Sequence, residues 1–303
     1  MKLGKALAGL AGAGAATVAA DGLLATLAGP LPPALPGTQR TVHWRGFDVA
    51  YAEAGDPDDP DVLLLHGVHA AASSREFRGV WEALAEDYHV VAPDLPGFGR
   101  SERPQVAYTA ALYEGFVAHA VKRLDAPTVV ASSLAGSYAA IAAEEADVSG
   151  LVLVCPTADT TDHREWLREG FRAPVLGQAA FDALVSKPAL RYFNRREAYA
   201  GPIPDGVVEY QWRSAHQRNA RFAPASFVGG FLDPVVDLGA ELAERDVPVT
   251  LVWGREATTT PLAEGRELAE NADARLVVLD DAKLLPHDEH PEAFLEAAAP
   301  DLP

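Results

Sequence analysis

Short apolar runs recur along the chain, and segments with a helical spacing of apolar residues lie between them. The predicted strands are residues 41–44, 47–52, 62–65, 89–92, 128–130, 151–154, 247–253 and 274–279. The predicted helices are residues 77–88, 112–124, a run from residue 134, 262–270 and 291–299. Runs that are apolar throughout are typical of strands buried on both faces. The alternation predicts an α/β protein whose mostly parallel sheet is covered by helices on both faces.

The alternation stops between residues 157 and 237. This stretch is rich in aromatic residues and has helical segments between prolines and glycines. Strand patterning returns at residue 247, so the stretch interrupts one α/β unit rather than ending it. We therefore predict a core made of residues 37–156 and 238–303, with a helical cap inserted at residues 157–237.

The first 36 residues have a composition of their own. Lys2 and Lys5 precede an apolar run rich in alanine and glycine, Asp21 interrupts it, and a second run extends to Ala28. This order fits a signal peptide or an anchor, and it also fits a small amphipathic helix lying on the domain or on a membrane surface. Both interpretations stay open. Residues 30–36 are rich in proline and predict a stiff linker.

One junction between a strand and a helix carries candidate chemistry. The apolar run at residues 128–130 stops at small residues, and a helical run follows at once. A serine at such a turn matches the G-x-S-x-G nucleophile elbow, with Ala131 and Ala135 in place of the two glycines. Small flanking residues are needed because the strand and helix backbones pass close together there. Ser133 is the candidate nucleophile, since Ser132 has larger flanking residues.

Composition and charge limit the classes of function that the protein can have. The chain of 303 residues has a net charge of −18 and a pI of about 4.8, which argues against a nucleic-acid partner because phosphate is repelled. Acidic excess with scarce lysine predicts adaptation to concentrated salt in a halophile, and an ordinary acidic protein is the alternative. The lone Cys155 rules out an internal disulfide and is predicted to be buried at the end of a strand.

Three stretches together resemble the α/β-hydrolase superfamily. They are His66-Gly67, the run Asp-Leu-Pro-Gly-Phe-Gly-Arg-Ser at residues 94–101, and the elbow at Ser133. The second is the most specific and is similar to a loop of dehalogenase, epoxide hydrolase and C–C hydrolase relatives. The resemblance extends from about residue 40 to the C-terminus. It implies an α/β-hydrolase fold with a helical cap above the active-site pocket.

The same resemblance implies acyl-transfer chemistry. Ser133 would attack a carbonyl, a histidine held by a carboxylate would move the proton, and two backbone N–H groups would stabilise the oxyanion. Those donors would be the N–H groups of Val68 and Leu134. A serine instead of an aspartate at the elbow argues against the dehalogenase and epoxide hydrolase branches. His66 shapes the oxyanion loop in the family, and we do not expect it to act as a base.

Two positions depart from the family pattern. Alignment on the Trp-Gly pair at residues 253–254 places Ala257 where the catalytic acid is usual. Alignment on Pro286 places Leu284 where the catalytic histidine is usual. An apolar side chain can neither accept the serine proton nor orient a base. On this alignment two of the three triad members are absent.

Three nearby polar residues are candidate substitutes. His287 follows Leu284 on the same predicted loop, and Asp159 follows a predicted strand where some family members carry their acid. These two are the predicted displaced base and acid. Glu256 adjoins the usual acid position but is expected to be a solvated charge. The alternatives are that His287 caps the last helix and that Asp159 is a turn residue at the hinge of the cap.

Two functions follow from these features. The first is a serine-type hydrolase of a small apolar ester, amide or related acyl compound, with Ser133 as nucleophile and a non-standard base. The second is a catalytically impaired α/β-hydrolase-fold protein that binds a hydrophobic ligand or a protein partner. Neither needs a cofactor, and His287 and His290 alone make a weak metal site, so we expect no cofactor and no metal. We expect a cytoplasmic protein, with membrane contact through residues 1–28 left open and the oligomeric state not indicated.

Overall fold

A computed structural model describes residues 19–302 and shows one eight-stranded sheet. The strand order is β1-β2-β4-β3-β5-β6-β7-β8, and β2 is antiparallel to both of its neighbours while the other pairs are parallel. The strands are β1 Thr38–Trp44, β2 Phe47–Ala54, β3 Asp61–Leu65, β4 His89–Pro93, β5 Thr128–Ser132, β6 Gly150–Val154, β7 Val249–Gly254 and β8 Arg275–Leu279. The predicted mostly parallel sheet is confirmed.

Helices connect the strands and cover both faces of the sheet. Residues 19–28 are helical and are called α1. The other α-helices are α2 Trp81–Asp87, α3 Ala110–Val121, α4 Leu134–Glu145, α5 Glu165–Arg172, α6 Leu176–Leu184, α7 Lys187–Phe193, α8 Val207–Ala215, α9 Phe222–Val228, α10 Leu238–Ala243, α11 Leu262–Ala272, α12 Pro286–Glu289 and α13 Pro291–Ala298. Short 3₁₀ turns span Ser74–Gly79 and Ala299–Asp301, and a π-helical turn spans Asn194–Ala198.

Alternate residues of the central strands belong to two apolar layers. Val129 and Ala131 of β5 pack with residues of α3 and α4, whereas Val130 packs with residues of α2 and α13. This is the period of two that a strand imposes on its side chains. Ser132 and Ser133 therefore lie at the carboxyl end of a central strand. Ligands of open α/β sheets bind at this edge.

A helical insertion of α5 to α9 separates β6 from the last part of the sheet. It has a small apolar cluster of its own, formed around Phe181, Val185 and Leu190. This cluster includes Ala71 and packs against Ala70, both in the loop that follows β3. The insertion is thus anchored beside the residues predicted to form the oxyanion loop.

Two local predictions differ from the structure. The proline-rich stretch at residues 30–36 is packed rather than a free linker, because Ala34 and Leu35 are buried and the Tyr210 hydroxyl donates to the Pro32 carbonyl over 3.1 Å. The helix predicted at residues 77–88 begins instead as a 3₁₀ turn, followed by α2 from Trp81.

The N-terminal hypothesis concerns residues that lie mostly outside the described range. Within residues 19–302 no helix is long and apolar enough to cross a bilayer.

Candidate active site

Ser133 occupies a strained turn between β5 and α4. Its φ of 54° and ψ of −129° lie outside the regions that non-glycine residues favour. The Ser133 N–H donates to the Val154 carbonyl over 2.9 Å, and the Gly136 N–H donates to the Ser133 carbonyl over 2.9 Å. A Cβ on Gly136 would lie 2.8 Å from Pro156 Cβ, so this close approach requires glycine. Such a turn costs about 1–3 kcal/mol and is kept where the surrounding structure enforces it. This backbone is that of a nucleophile elbow.

The loop after β3 lies directly beside the elbow. A Cβ on Gly67 would lie 3.2 Å from Ser132 Oγ and 3.3 Å from Ser133 Cβ, so the two backbones are nearly in contact. The N–H groups of Val68 and Leu134 have no backbone or side-chain acceptor within residues 19–302. Within the described residues, the two N–H groups that we predicted as oxyanion donors are therefore not used by the fold.

His66 holds this loop in place and is not available as a base. The Leu95 N–H donates to His66 Nε2 over 2.9 Å, so Nε2 is an acceptor and the proton lies on Nδ1. Nδ1 is 2.7 Å from the Gly67 carbonyl, to which it donates. Burial lowers the pKa of His66, which keeps the ring neutral. Both ring nitrogens are used to fix the backbone beside the elbow.

Asp94, in the loop after β4, stabilises the same region through hydrogen bonds. Its buried carboxylate accepts from the Ser74 N–H over 2.8 Å, the Ser74 hydroxyl over 2.9 Å and the Arg100 N–H over 2.7 Å. A Cβ on Gly99, whose φ is 49°, would lie only 2.0 Å from Asp94 Cγ. The run at residues 94–101 thus stabilises the loops around the site through hydrogen bonds to Asp94.

An apolar cluster contains or contacts the two residues that the alignment places at the usual acid and base positions. Ala257 is buried with Trp253 and Cys155, and Leu284 packs against this cluster. The Trp253 indole donates to the Thr260 carbonyl over 2.8 Å, which fixes the loop that carries Ala257. Apolar packing is thus found where the alignment predicts that the carboxylate–imidazole pair is lost. Cys155 is buried at the end of β6, as predicted.

The two predicted substitutes lie apart. His287 is fully buried on α12, between Phe77 and Phe294, and neither ring nitrogen has a hydrogen-bond partner within residues 19–302. Asp159 is exposed, and its N–H and carbonyl bond to the Thr157 hydroxyl. Within the described residues, the His287 ring therefore forms no hydrogen bond with Ser133 or with Asp159. Glu256 is exposed, and its N–H donates to the Ala282 carbonyl.

Glu76 is a feature of the site that the sequence did not indicate. Its buried carboxyl accepts the Gly67 N–H over 3.1 Å and hydrogen-bonds the Ser132 side chain, and Oε1 is 3.7 Å from His287 Nε2. Burial raises the pKa of Glu76 to about 8, although these two hydrogen bonds oppose the shift. Burial, with the nearby Arg78 charge, lowers the pKa of His287 to about 3. Both groups are therefore neutral at pH 7, and their contact is not an ion pair.

Asp288 follows His287 in the chain, and only one of its carboxylate oxygens is hydrogen-bonded within the described residues. Asp288 accepts from the Arg78 guanidinium over 2.8 Å and from the Tyr199 hydroxyl over 2.6 Å, while its other oxygen has no partner within the described part of the chain. His69, two residues beyond Gly67, has a pKa lowered by burial to about 4, with His66 adding to the shift. Glu76 and His69 could not be found by motif, because neither occupies a position that the family resemblance marks.

A small cavity lies between the 3₁₀ turn and the insertion. It has a volume of about 30 Å³ and is lined by residues that include His69, Glu76, Tyr199, Tyr210 and Leu285. This volume holds about one water molecule. No group of three or more His, Cys, Asp or Glu side chains able to hold a metal ion occurs within residues 19–302.

The fold agrees with a comparison against known families. The family model described as "Alpha/beta hydrolase family" matches residues 62–297. The protein belongs to this family. The match covers β3 to α13 and includes the elbow, the loop after β3 and the insertion.

Individual relatives of this α/β hydrolase are distant or matched over short stretches. An uncharacterized hydrolase of Saccharomyces cerevisiae is 48% identical over 60 residues, which are 20% of each chain. The first curated relatives are matched over only 20% to 28% of their own length. The uncharacterized hydrolase YugF of Bacillus subtilis is 25% identical over 281 residues, or 84% of this chain and 94% of YugF.

Solved structures show the same fold. A serine hydrolase involved in carbazole degradation, the CarC enzyme, superposes with a TM-score of 0.69 at 21% identity. The superposition covers 88% of this chain and 98% of that chain.

Proposed function

We propose that this α/β hydrolase is a slow serine-type hydrolase of a small apolar ester, amide or related acyl compound, with Ser133 as the nucleophile. The observation that carries the proposal is the strained backbone of Ser133 beside two N–H groups, of Val68 and Leu134, that the fold leaves without acceptors. A protein with no use for the elbow gains nothing from holding a serine there at a cost of about 1–3 kcal/mol. Family membership and the likeness to a serine hydrolase support the reaction class.

The proposed reaction is acyl transfer in two steps. The Ser133 oxygen attacks the acyl carbonyl carbon and loses its proton, and the carbonyl electron pair moves onto the oxygen. The N–H groups of Val68 and Leu134 donate to this oxyanion, which is worth about 3–4 kcal/mol for one such donor. Collapse expels the protonated leaving group, and water then attacks the acyl-enzyme to release the acid and regenerate Ser133.

Proton acceptance is the step in which this enzyme departs from its family. Leu284 cannot accept a proton, and a group with a pKa near 3, such as the buried His287, is a weak base at pH 7. We propose that solvent water or hydroxide accepts the Ser133 proton. The predicted base His287, with Asp159 as its acid, does not take this role. A positioned general base contributes about 10²- to 10⁴-fold to such a reaction. We therefore expect turnover slower by about this factor than that of an enzyme with a complete triad.

The insertion, we propose, acts as the cap of the site. Ser133 is half-buried, and the cavity of about 30 Å³ beside Glu76 is too small to hold an acyl compound. Tyr199 and Tyr210 of the insertion line that cavity, so movement of the insertion would enlarge it. A small and largely apolar acyl group fits a site whose neighbouring cluster of Phe181, Val185 and Leu190 is apolar.

A comparison of two adjacent serines tests the proposal. Hydrolysis of p-nitrophenyl acetate, butyrate and octanoate is measured for the parent, Ser133→Ala and Ser132→Ala, after circular dichroism has shown that each is folded. Ser132 bonds Glu76 and is the matched control. We expect Ser133→Ala to abolish turnover above buffer and Ser132→Ala to retain most of it. Turnover that survives Ser133→Ala would exclude Ser133 as the nucleophile.

The apolar cluster that includes Ala257, with Leu284 packed against it, favours a second candidate, a binding protein built on the same fold. In that case the protein would bind a hydrophobic ligand or a partner without turning it over. Saturable binding of a fluorescent fatty acyl probe, unchanged by Ser133→Ala and accompanied by no ester hydrolysis, would support this candidate over the first.

A further inference from the structure

A short segment of the insertion carries a charge opposite to that of the chain. Residues 187–196 contain Lys187, Arg191, Arg195 and Arg196 and no acidic residue, whereas the whole chain has a net charge of −18. The segment spans α7 and the start of the π-helical turn. We call residues 187–196 the basic segment. Four cations in ten residues create a local positive potential on an otherwise acidic protein.

Two of the four cations are not used by the fold. Lys187 pairs with Glu209 over 2.6 Å, and Arg196 pairs with Glu197 over 2.7 Å. Arg191 and Arg195 are exposed, and neither has a carboxylate within 4.0 Å in residues 19–302. A guanidinium offers five N–H donors in a planar fork that suits phosphate oxygens. These two side chains are therefore free to bind an anion.

The arginines border a shallow groove. It has a volume of about 530 Å³ and is lined by Pro188, Arg191, Tyr192, Arg195 and Arg196. Phosphate is the anionic group that several arginines in one groove recognise best. The groove is open to solvent, so it suits a surface that approaches from outside rather than an enclosed ligand.

Exposed aromatic side chains lie within the same segment. Tyr192 is 56% exposed and Phe193 is 42% exposed, with ring centroids 5.4 Å apart. Aromatic rings beside cations are typical of segments that lie in the headgroup region of a bilayer. Within residues 19–302, every exposed large hydrophobic side chain except Val106 lies on the insertion or on α1. The others are Leu23, Leu27, Trp166, Leu176 and Val235.

Helix α1, which carries the exposed Leu23 and Leu27, is attached to the insertion at its end. The Arg213 guanidinium of α8 donates to the Ala28 carbonyl over 2.8 Å, and the Gln217 amide donates to the Gly29 carbonyl over 2.9 Å. The end of α1 is thus attached to the insertion. An extended apolar phase would cover several separate exposed side chains, which a single soluble anion could not do.

We propose that the basic segment docks the protein onto an anionic lipid bilayer, with Arg191 and Arg195 on lipid phosphates and Tyr192 and Phe193 in the headgroup region. The partner is a bilayer because the exposed cations and the exposed apolar side chains occur together. The docking is independent of catalysis at Ser133, and it is centred on the basic segment rather than on residues 1–28.

Vesicle sedimentation of the full chain tests the proposal. Binding is measured to vesicles of equal phosphatidylglycerol and phosphatidylcholine and to pure phosphatidylcholine, in the lowest salt at which circular dichroism shows a folded protein. The variants are Arg191→Gln with Arg195→Gln, and Tyr192→Ser with Phe193→Ser. The matched control is Arg123→Gln with Arg266→Gln, which removes two exposed cations from the α/β core.

We expect the parent to prefer the anionic vesicles and the arginine variant to bind them about 30-fold more weakly, since each cation near such a surface contributes about fivefold. The aromatic variant should also lose affinity, in a manner less sensitive to salt. The control should bind like the parent. Equal binding to pure phosphatidylcholine, no binding to anionic vesicles, or binding unchanged in the arginine variant would overturn the proposal. Equal loss in the control would assign the effect to net charge alone.

Discussion

The buried carboxyl of Glu76 makes a prediction about stability that can be worked through in full. Replacing Glu76 by Gln keeps an oxygen that can accept the Gly67 N–H and removes the titrating group. The parent and the variant should therefore share one fold and differ in how their stability depends on pH. The difference measures the cost of an ionised carboxylate beneath the elbow.

The direction of the pH dependence of stability follows from whether the folded or the unfolded state binds the proton of Glu76. An unfolded glutamate loses its proton near pH 4.5, while burial raises the pKa of Glu76 in the folded protein to about 8. Between these values the folded protein binds a proton that the unfolded chain has released. Raising the pH through this window therefore favours unfolding, and above pH 8 the full loss is present. A shift of this size corresponds to about 5 kcal/mol.

The lowered pKa of His287 changes the stability in the opposite direction, over a lower pH range. Burial lowers its pKa from 6.5 to about 3, so between these values the unfolded chain binds a proton that the folded protein excludes. Stability contributed by neutral His287 is complete above pH 6.5 and is lost as the pH falls toward 3. The two effects oppose each other between pH 4.5 and 6.5. We expect the parent to be most stable in that interval.

Urea unfolding from pH 4 to 9, at a fixed salt concentration, measures the effect. The free energy of unfolding of Glu76→Gln should match that of the parent at pH 4.5 and exceed it increasingly toward pH 8, with no further change above. Glu82→Gln, on the exposed face of α2, is the control and should leave the profile unchanged. Parallel profiles for the parent and Glu76→Gln would refute the assignment of a neutral carboxyl at this site.

Three further predictions concern the altered triad, the rate profile and the surface. The double variant Ala257→Asp with Leu284→His should raise the kcat/KM of ester hydrolysis by about 10- to 100-fold, and each single change should add little because an unoriented imidazole is a poor base. In the parent, kcat/KM should rise with pH from 6 to 9 without an inflection near 6.5, since no imidazole accepts the Ser133 proton; a plateau above pH 7 would contradict this. If the acidic, lysine-poor surface reflects adaptation to salt, the melting temperature should rise in molar KCl, and full stability in dilute buffer with no gain would exclude it.

Much of the fold could be predicted because its signals are local. The runs from β3, β5 and β6 are short, apolar and bounded by small residues, which is sufficient to indicate buried parallel strands. The packing of the proline-rich stretch could not be predicted in the same way. Ala34 and Leu35 are buried by contacts with residues far along the chain, and composition alone makes the stretch resemble a linker.

The candidate site also contains residues that a local motif identifies and residues that only tertiary contacts reveal. Ser133 and the loop at His66 are identified by motif because the backbone demands small or specific residues there. The placement of Ala257 and Leu284 at the acid and base positions rests on alignment alone and stays a prediction. Glu76 was not, because it reaches the site through tertiary contacts with Gly67 and His287 rather than through spacing.

The central claim is that Ser133 forms a covalent intermediate although its triad partners are predicted to be absent. A fluorophosphonate probe reacts with an activated serine, and mass spectrometry of the digested protein identifies the modified residue. We expect slow labelling at Ser133 that Ser133→Ala abolishes and that Ala257→Asp with Leu284→His accelerates. Absence of any adduct on the folded protein in its preferred salt, or an adduct unaffected by Ser133→Ala, would contradict the claim.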